Sequence, residues 1–409
     1  RGDPMADADD VYMPIDIFWE YESQKETEDD LSELSASAIR EAVVSANDWT
    51  TETIISQIRK KNILLSPDFQ RRDAWRITRK SRFIESLILG LPVPQLVLAE
   101  AQNRRGSYIV LDGKQRLLSI CQFAADSEDR DFEQLRLSHL DIRKDLNGKT
   151  LSDMKVDFSL LDDVAAFENQ SIRTVVIKNW PSESFLYHVF LRLNTNSVIL
   201  SPQELRQALH PGFFTSFAEH ESRTNPSLRD ILGKNQPDFR MRDTELLIRY
   251  IAFRNFILNY KGNLKDFLDQ SCKILNREWD NWEDRVRNQT IELNDIHNSI
   301  RTVFDGNAYH KWSGTAFENR FNRAIFDIML FAFRESHNRD ILVTHQDKVV
   351  ELFKNLCSLN KEFMSSIEQT TKSMDATATR HQIWAECLNR DLGLQLPVLQ
   401  ISNDRLVFS

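Results

Sequence analysis

"YIVLDGKQRLLSICQF", residues 108–123, decides how the first half of the chain folds. Tyr108 to Leu111 is a β-favouring run, and Leu117, Leu118, Cys121 and Ala125 recur on one helical face. Between them lies Asp112-Gly113-Lys114-Gln115-Arg116. A strand therefore enters a turn and a helix opens at about Lys114. The junction has two readings. It is a turn in which Asp112 caps the helix and the cations are solvated. Or it is an anion site, because the first amides of a helix lack intrahelical acceptors and carry the positive end of its dipole. In that reading Gly113 allows close approach, Lys114 and Arg116 add charge, and Asp112 holds a magnesium ion or orients a water. Spacing alone leaves both open.

The flanking sequence supplies the rest of an α/β unit. "QLVLAE" (95–100) and "SYIVLD" (107–112) are strand-like and flank the turn-rich "AQNRRG", which predicts a hairpin. Thr51 to Asn62 reads as an amphipathic helix and "ILLSP" as a short strand, and Thr78 can cap the next helix, in which Phe83, Ile84, Leu87 and Ile88 have helical spacing and which Gly90 and Pro92 stop. Residues 126–170 are polar and mixed, and read as an insertion. "IRTVVIKNW" is a further strand, and Ser182 can cap a helix running to about Leu193. "SPQE" (201–204) is a helix start, with Ser201 as cap, Pro202 in the first position and Glu204 closing a capping box.

From about residue 213 the pattern is mostly helical. "ELLIRYIAFRNFILNY" (245–260) is apolar on nearly every side and predicts a buried helix. Phe317, Phe321, Ala324, Ile325 and Ile328 read as one helical stripe, "DGNAYHKW" (305–312) as a loop, and "REWDNWEDRVR" as a helix with a half-buried aromatic face. The expected organisation is an acidic arm over 1–48, an α/β domain over 49–212 and a helical domain over 213–409. Arg1-Gly2-Asp3-Pro4 ahead of Met5 reads as a cloning remnant.

Charge bears on partners. The formal net charge is −9, and residues 1–34 hold twelve acids against two bases, so the remainder is nearly neutral. That balance argues against avid non-specific DNA binding by the whole chain, while a local basic cleft stays open. The four cysteines are far apart, with no CxxC, and read as buried free thiols of a cytoplasmic protein. There is no secretory pattern and no apolar run near the ~18 residues of a membrane helix.

Two further clusters carry cations. Phe69-Gln70-Arg71-Arg72, followed by Trp75, lies in a loop where the arginines could clamp phosphate and Trp75 fits the core better than a base stack. Phe190-Leu191-Arg192-Leu193-Asn194 ends a helix, where Arg192 can satisfy terminal carbonyls or face a ligand.

Four segments in this order, "FQRRDAW", "SRFIESLILGLPVPQLVL", "YIVLDGKQRLLSI" and "FLRLNTNSVILSPQELRQAL", resemble the GmrSD restriction-endonuclease N-terminal domain family. The resemblance runs from about Thr50 to Gly212, and more loosely into the helical half. It implies a ParB/sulfiredoxin-like α/β fold and a role in bacterial defence against phage or foreign DNA. The family's Asp-Gly-Gln-Gln-Arg motif, associated with nucleotide binding and hydrolysis, falls on Asp112, Gly113, Lys114, Gln115 and Arg116, with Lys114 in place of the frequent glutamine. Gln70 and Arg71 match its Gln-Arg pair, and Arg192 and Asn194 its Arg-x-Asn element. The resemblance thus implies Asp112, Gln115 and Arg116 as catalytic, Gln70, Arg71, Gly113, Lys114, Arg192 and Asn194 as nucleotide-binding, and Asp112 as the Mg2+ ligand, with an NTP as substrate or ligand.

No cysteine lies between Tyr108 and Arg116, which removes a sulfiredoxin-type reductase. His310, His337, His345 and His381 form no HNH-type pattern, so nuclease activity is not expected of this chain. The expected partners are a nucleotide and a separate effector nuclease or other defence protein, with DNA and a second copy of the chain as further candidates. The competing reading is a sensor that binds a nucleotide or modified DNA without turnover.

Overall fold

The run Leu96-Val97-Leu98-Ala99 has no polar member and is buried throughout, the pattern of a strand covered on both faces. The computed structural model describes residues 19–20, 42–63, 65, 74–102, 104–193 and 201–409. They fall into two units, one within 31–209 with 239–241, the other within 210–238 and 242–409 together with the strand Trp19–Glu20.

The first unit is built on a four-stranded mixed sheet of β1 (Val43–Thr50), β2 (Leu96–Glu100), β3 (Tyr108–Asp112) and β4 (Ser171–Lys178), in the order β1-β4-β2-β3. β2 and β3 form the expected antiparallel hairpin, with Leu98 opposite Val110. β2 runs parallel to β4, with Val97 opposite Val175, and β4 pairs antiparallel with β1. Ile63 makes a single parallel bridge to Tyr108, where the sequence suggests a short strand.

Side-chain alternation along β2 divides the core in two. Leu96 and Leu98 join Ile54 of α1 (Thr51–Arg59), Ile84 and Leu87 of α2 (Ile77–Ile88), and Leu117 and Ile120 of α3 (Lys114–Ala124). The 126–170 segment completes this face. Its helices α4 (Leu151–Val156) and α5 (Leu161–Asn169) bury Met154 and Phe167. Val97 and Ala99 point the other way, onto Phe185, Leu186 and Phe190 of α6 (Glu183–Leu193) and Leu205 of α7 (Pro202–Leu209). The sheet is therefore covered by helices on both sides.

The second unit is largely helical: α8 (Phe213–Thr224), α9 (Pro226–Leu232), α10 (Arg242–Phe256), α11 (Leu264–Arg277), α12 (Trp279–Phe304), then α13 (Arg323–Ala332), α14 (Ser336–Thr344), α15 (Gln346–Leu359), α16 (Lys361–Glu368) and α17 (Met374–Leu392). As expected, α10 is buried nearly all round, and it carries a buried Arg249 paired to Asp327 at 2.6 Å.

Two expectations fail here. Phe317 and Phe321 do not open a helix. They bound β6 (Phe317–Phe321), and part of the expected 305–312 loop is its antiparallel partner β5 (His310–Trp312). The strand Trp19–Glu20 lies parallel on β6, with Glu20 opposite Phe321. A two-stranded ribbon, β7 (Leu399–Ser402) with β8 (Arg405–Phe408), ends the chain.

The four cysteines are buried free thiols. Burial pushes Cys121 up to about 12, which keeps it protonated and unreactive at neutral pH. Among the described residues, no helix is long and apolar enough to cross a membrane.

Candidate functional site

β3 ends at Asp112 and α3 begins at Lys114, so one residue must reverse the chain. Gly113 does so at φ +100, in the left-handed region. A Cβ there would lie 2.3 Å from Leu96 Cδ2 and 3.3 Å from Nε and Nη2 of Arg116. Glycine is therefore required twice, by its torsion and by the guanidinium packed against it.

The five motif residues turn inward. Asp112 Oδ1 accepts from Gly113 N at 2.8 Å, and Oδ2 accepts from Arg116 Nη2 at 2.8 Å. One carboxylate thus ties the end of the strand to the first turn of the helix. The side chain of Arg116 is only 8 % exposed, and its buried Nε has no hydrogen-bond partner. The Lys114 ammonium pairs with the Glu204 carboxylate, both side chains being 7 % exposed. Glu204 also accepts from Ser201 N at 2.7 Å, while Ser201 Oγ accepts from Glu204 N at 3.2 Å, the capping box of α7. Gln115 Oε1 accepts from Trp75 N at 3.3 Å. Trp75 is half-buried, edge-on to Phe83 with centroids 5.7 Å apart, and has Arg79 over its ring at 4.6 Å. That is the core role expected for it.

The junction is therefore a tie-point. Through Gln115 it holds the residue just after the "FQRR" cluster, and through Lys114 the helix that follows the Arg-x-Asn element. Arg192 is exposed in the last turn of α6. Gln70, Arg71 and Asn194 lie outside the described residues.

Glu204 is the site residue that the sequence did not single out as one. Its capping role was readable, but its bond to Lys114 spans 90 positions and is tertiary. A signal did exist. A lysine where the related motif has a neutral glutamine, in a helix turn that becomes buried, calls for a carboxylate nearby.

Metal chemistry at Asp112 is limited by its surroundings. Among the described residues, Asp112 belongs to no cluster of three or more His, Cys, Asp or Glu side chains. A single carboxylate can still hold Mg2+ when phosphate oxygens supply further ligands. Arg116 would then have to release Oδ2. In the helical unit, buried His210 and Asp269 offer metal-type ligands, with His210 Nε2 at 3.8 Å from Asp269 Oδ2. Lys265 Nζ stands 2.8 Å from that same oxygen.

Comparison with known families gives this geometry a context. Residues 51–211 match the model of the GmrSD restriction endonuclease, N-terminal domain. Neither curated proteins nor solved structures returned a match. The matched segment begins at α1 and ends just beyond α7, so it contains the tie-point with Trp75, Ser201 and Glu204.

Proposed function

We propose that this GmrSD-type N-terminal domain is the nucleotide-binding component of a restriction-type defence system, and that it hydrolyses an NTP with Mg2+. The observation that carries the reading is the glycine-opened first turn of α3, which bears two cations, Lys114 and Arg116, ion-paired to Glu204 and Asp112. The leading amides of a helix and its dipole favour phosphate oxygens. Lys114 and Arg116 are held ready by Glu204 and Asp112, and phosphate competes with these carboxylates for them. Arg192, exposed in the last turn of α6, and Gln70, Arg71 and Asn194 are assigned to the same ligand on the resemblance alone.

The Asp112–Arg116 pair couples binding to chemistry. When Arg116 turns to a phosphate, Oδ2 of Asp112 is freed. Asp112 then holds the metal or orients the attacking water, and Gln115 positions that water. Magnesium supplies charge neutralisation of the phosphates when bound.

One observation favours the second reading, a sensor that binds without turnover and regulates a separately encoded effector. Both oxygens of Asp112 are already engaged. Phosphate release and labelled-nucleotide binding, measured across the four NTPs, separate the two. Hydrolysis predicts Mg2+-dependent release that falls about 100-fold in Asp112→Asn, with nucleotide affinity held within a few-fold. Binding without release in the wild type selects the sensor. A wild type that binds none of the nucleotides sinks both readings.

A further inference from the structure

In the helical unit several arginines share two carboxylates, Asp327 and Glu292. Asp327, 2 % exposed at its side chain, serves two buried guanidiniums, Arg249 at 2.6 Å and Arg380 at 3.5 Å. Arg254 and Arg334 stand next to this group, on a small apolar-walled cavity that Asp327 and His381 also line. The same two arginines line an adjoining open cleft of about 690 Å³, shared with Arg285 and Glu292. Glu292 is already divided between Arg254 at 2.7 Å and Arg339 at 3.3 Å.

Several buried nitrogens here make no hydrogen bond among the described residues. His381 is 2 % exposed, and neither ring nitrogen has a hydrogen-bond partner. The same holds for the buried Nε of Arg334, Nε of Arg380 and Nη1 of Arg249. That Arg334 Nε faces Glu335 Oε1 as an ion pair at 3.4 Å without a hydrogen bond, and the guanidinium stacks over Phe331 at 4.5 Å. The electrostatic surroundings act in the same direction. Burial lowers Arg334, Glu335 opposes this and Arg254 adds to it, while burial, Arg380 and Arg334 hold His381 well below its usual value. Positive groups are thus crowded against one another in a partly desolvated place.

We propose that this cleft is an anion site of the helical unit, separate from the strand–helix junction, and that it takes a phosphate-bearing small molecule through Arg254, Arg334 and Arg285. Guanidiniums arriving from separate elements suit the tetrahedral, many-acceptor geometry of a phosphoryl group better than a single planar carboxylate. The cleft volume lies in the range of small-ligand pockets. Arg285, exposed and stacked on Trp282 at 5.1 Å, supplies the outer contact. Arg254 is oriented by Tyr250, whose hydroxyl accepts from Nη1 at 3.0 Å.

Inorganic pyrophosphate, titrated calorimetrically into the full chain, tests the site. The wild type should bind it, and Arg334→Gln should weaken binding about tenfold. Arg285→Gln, an exposed position whose loss leaves the fold intact, should weaken it about threefold. Should Arg334→Gln fail to fold, the Arg285 variant decides alone. ATP and a single-stranded DNA oligonucleotide run in parallel identify the source of the phosphate. ATP binding that exceeds DNA binding and weakens with Arg285→Gln supports the proposal, and binding of DNA alone overturns it. No pyrophosphate binding by the wild type overturns it too, as does affinity unchanged in the variants. Binding abolished by Arg116→Gln but indifferent to Arg285 and Arg334 would belong to the α/β unit, and would equally overturn it.

Discussion

Replacing Gly113 with alanine is expected to destabilise the α/β unit by about 3 kcal/mol or more. Two costs combine. A residue with a Cβ at φ +100 is strained by roughly 1–3 kcal/mol. The added carbon also sits 2.3 Å from Leu96 Cδ2, on a fully buried side chain of a central strand. Leu96 cannot withdraw, because helices fill the face it points into. Overpacking of that kind costs about another 1–3 kcal/mol. The same carbon presses on Nε and Nη2 of Arg116, so the guanidinium shifts off Asp112. Denaturant unfolding of the full chain should show an earlier first transition, and labelled-nucleotide binding should fall with it. A Gly113→Ala protein with wild-type midpoints and affinity would mean that the junction is not shaped as described.

Much of this junction was readable from residue order, because hairpin, glycine and helix are local features. β2, β3, β4, α1 and α3 fall where periodicity and breakers place them, whereas α2 opens at Ile77 with Arg76, not Thr78, at its cap. Failures arose where local pattern is ambiguous or the partner is remote. Phe317 and Phe321 are four apart, a spacing that fits both a helix face and every second residue of a strand. The discriminating signal was Asn322, whose Oδ1 accepts from Ile325 N at 3.0 Å and starts α13 after the strand has ended. β1 passed unseen because it is an edge strand with mostly exposed residues, including Val43 and Val44, so no buried alternation marks it. Its residues 43–48 fall in the stretch read as the acidic arm. The 126–170 segment reads as polar because its apolar residues are widely spaced, yet Leu137, Leu146, Met154 and Phe167 are each fully buried. In the site, motif membership is one-dimensional information, whereas the partners of Lys114 and Gln115 lie 90 and 40 positions away.

The Lys114–Glu204 pair allows stability and ligand binding to be separated. Lys114→Gln restores the residue frequent in related motifs, but it leaves the Glu204 carboxylate buried without its ammonium. Glu204→Gln instead removes the charge that the buried ammonium faces. Removing one member of a buried pair costs about 3–5 kcal/mol, whereas replacing both members is often close to neutral. Each single variant should therefore unfold about 3 kcal/mol more easily, and the double variant Lys114→Gln/Glu204→Gln should recover most of that loss. A glutamine at 204 keeps an acceptor for Ser201 N, so the cap of α7 survives in the double variant. Urea unfolding of the four proteins gives the coupling directly. Additive single losses would show that the two side chains do not form the buried pair. The double variant then isolates function. If Lys114 contributes its charge to phosphate, this well-folded protein binds nucleotide about tenfold more weakly than wild type. If its affinity is unchanged, Lys114 serves only to fasten α7 to the junction, and the leading amides of α3 with Arg116 carry the phosphate alone.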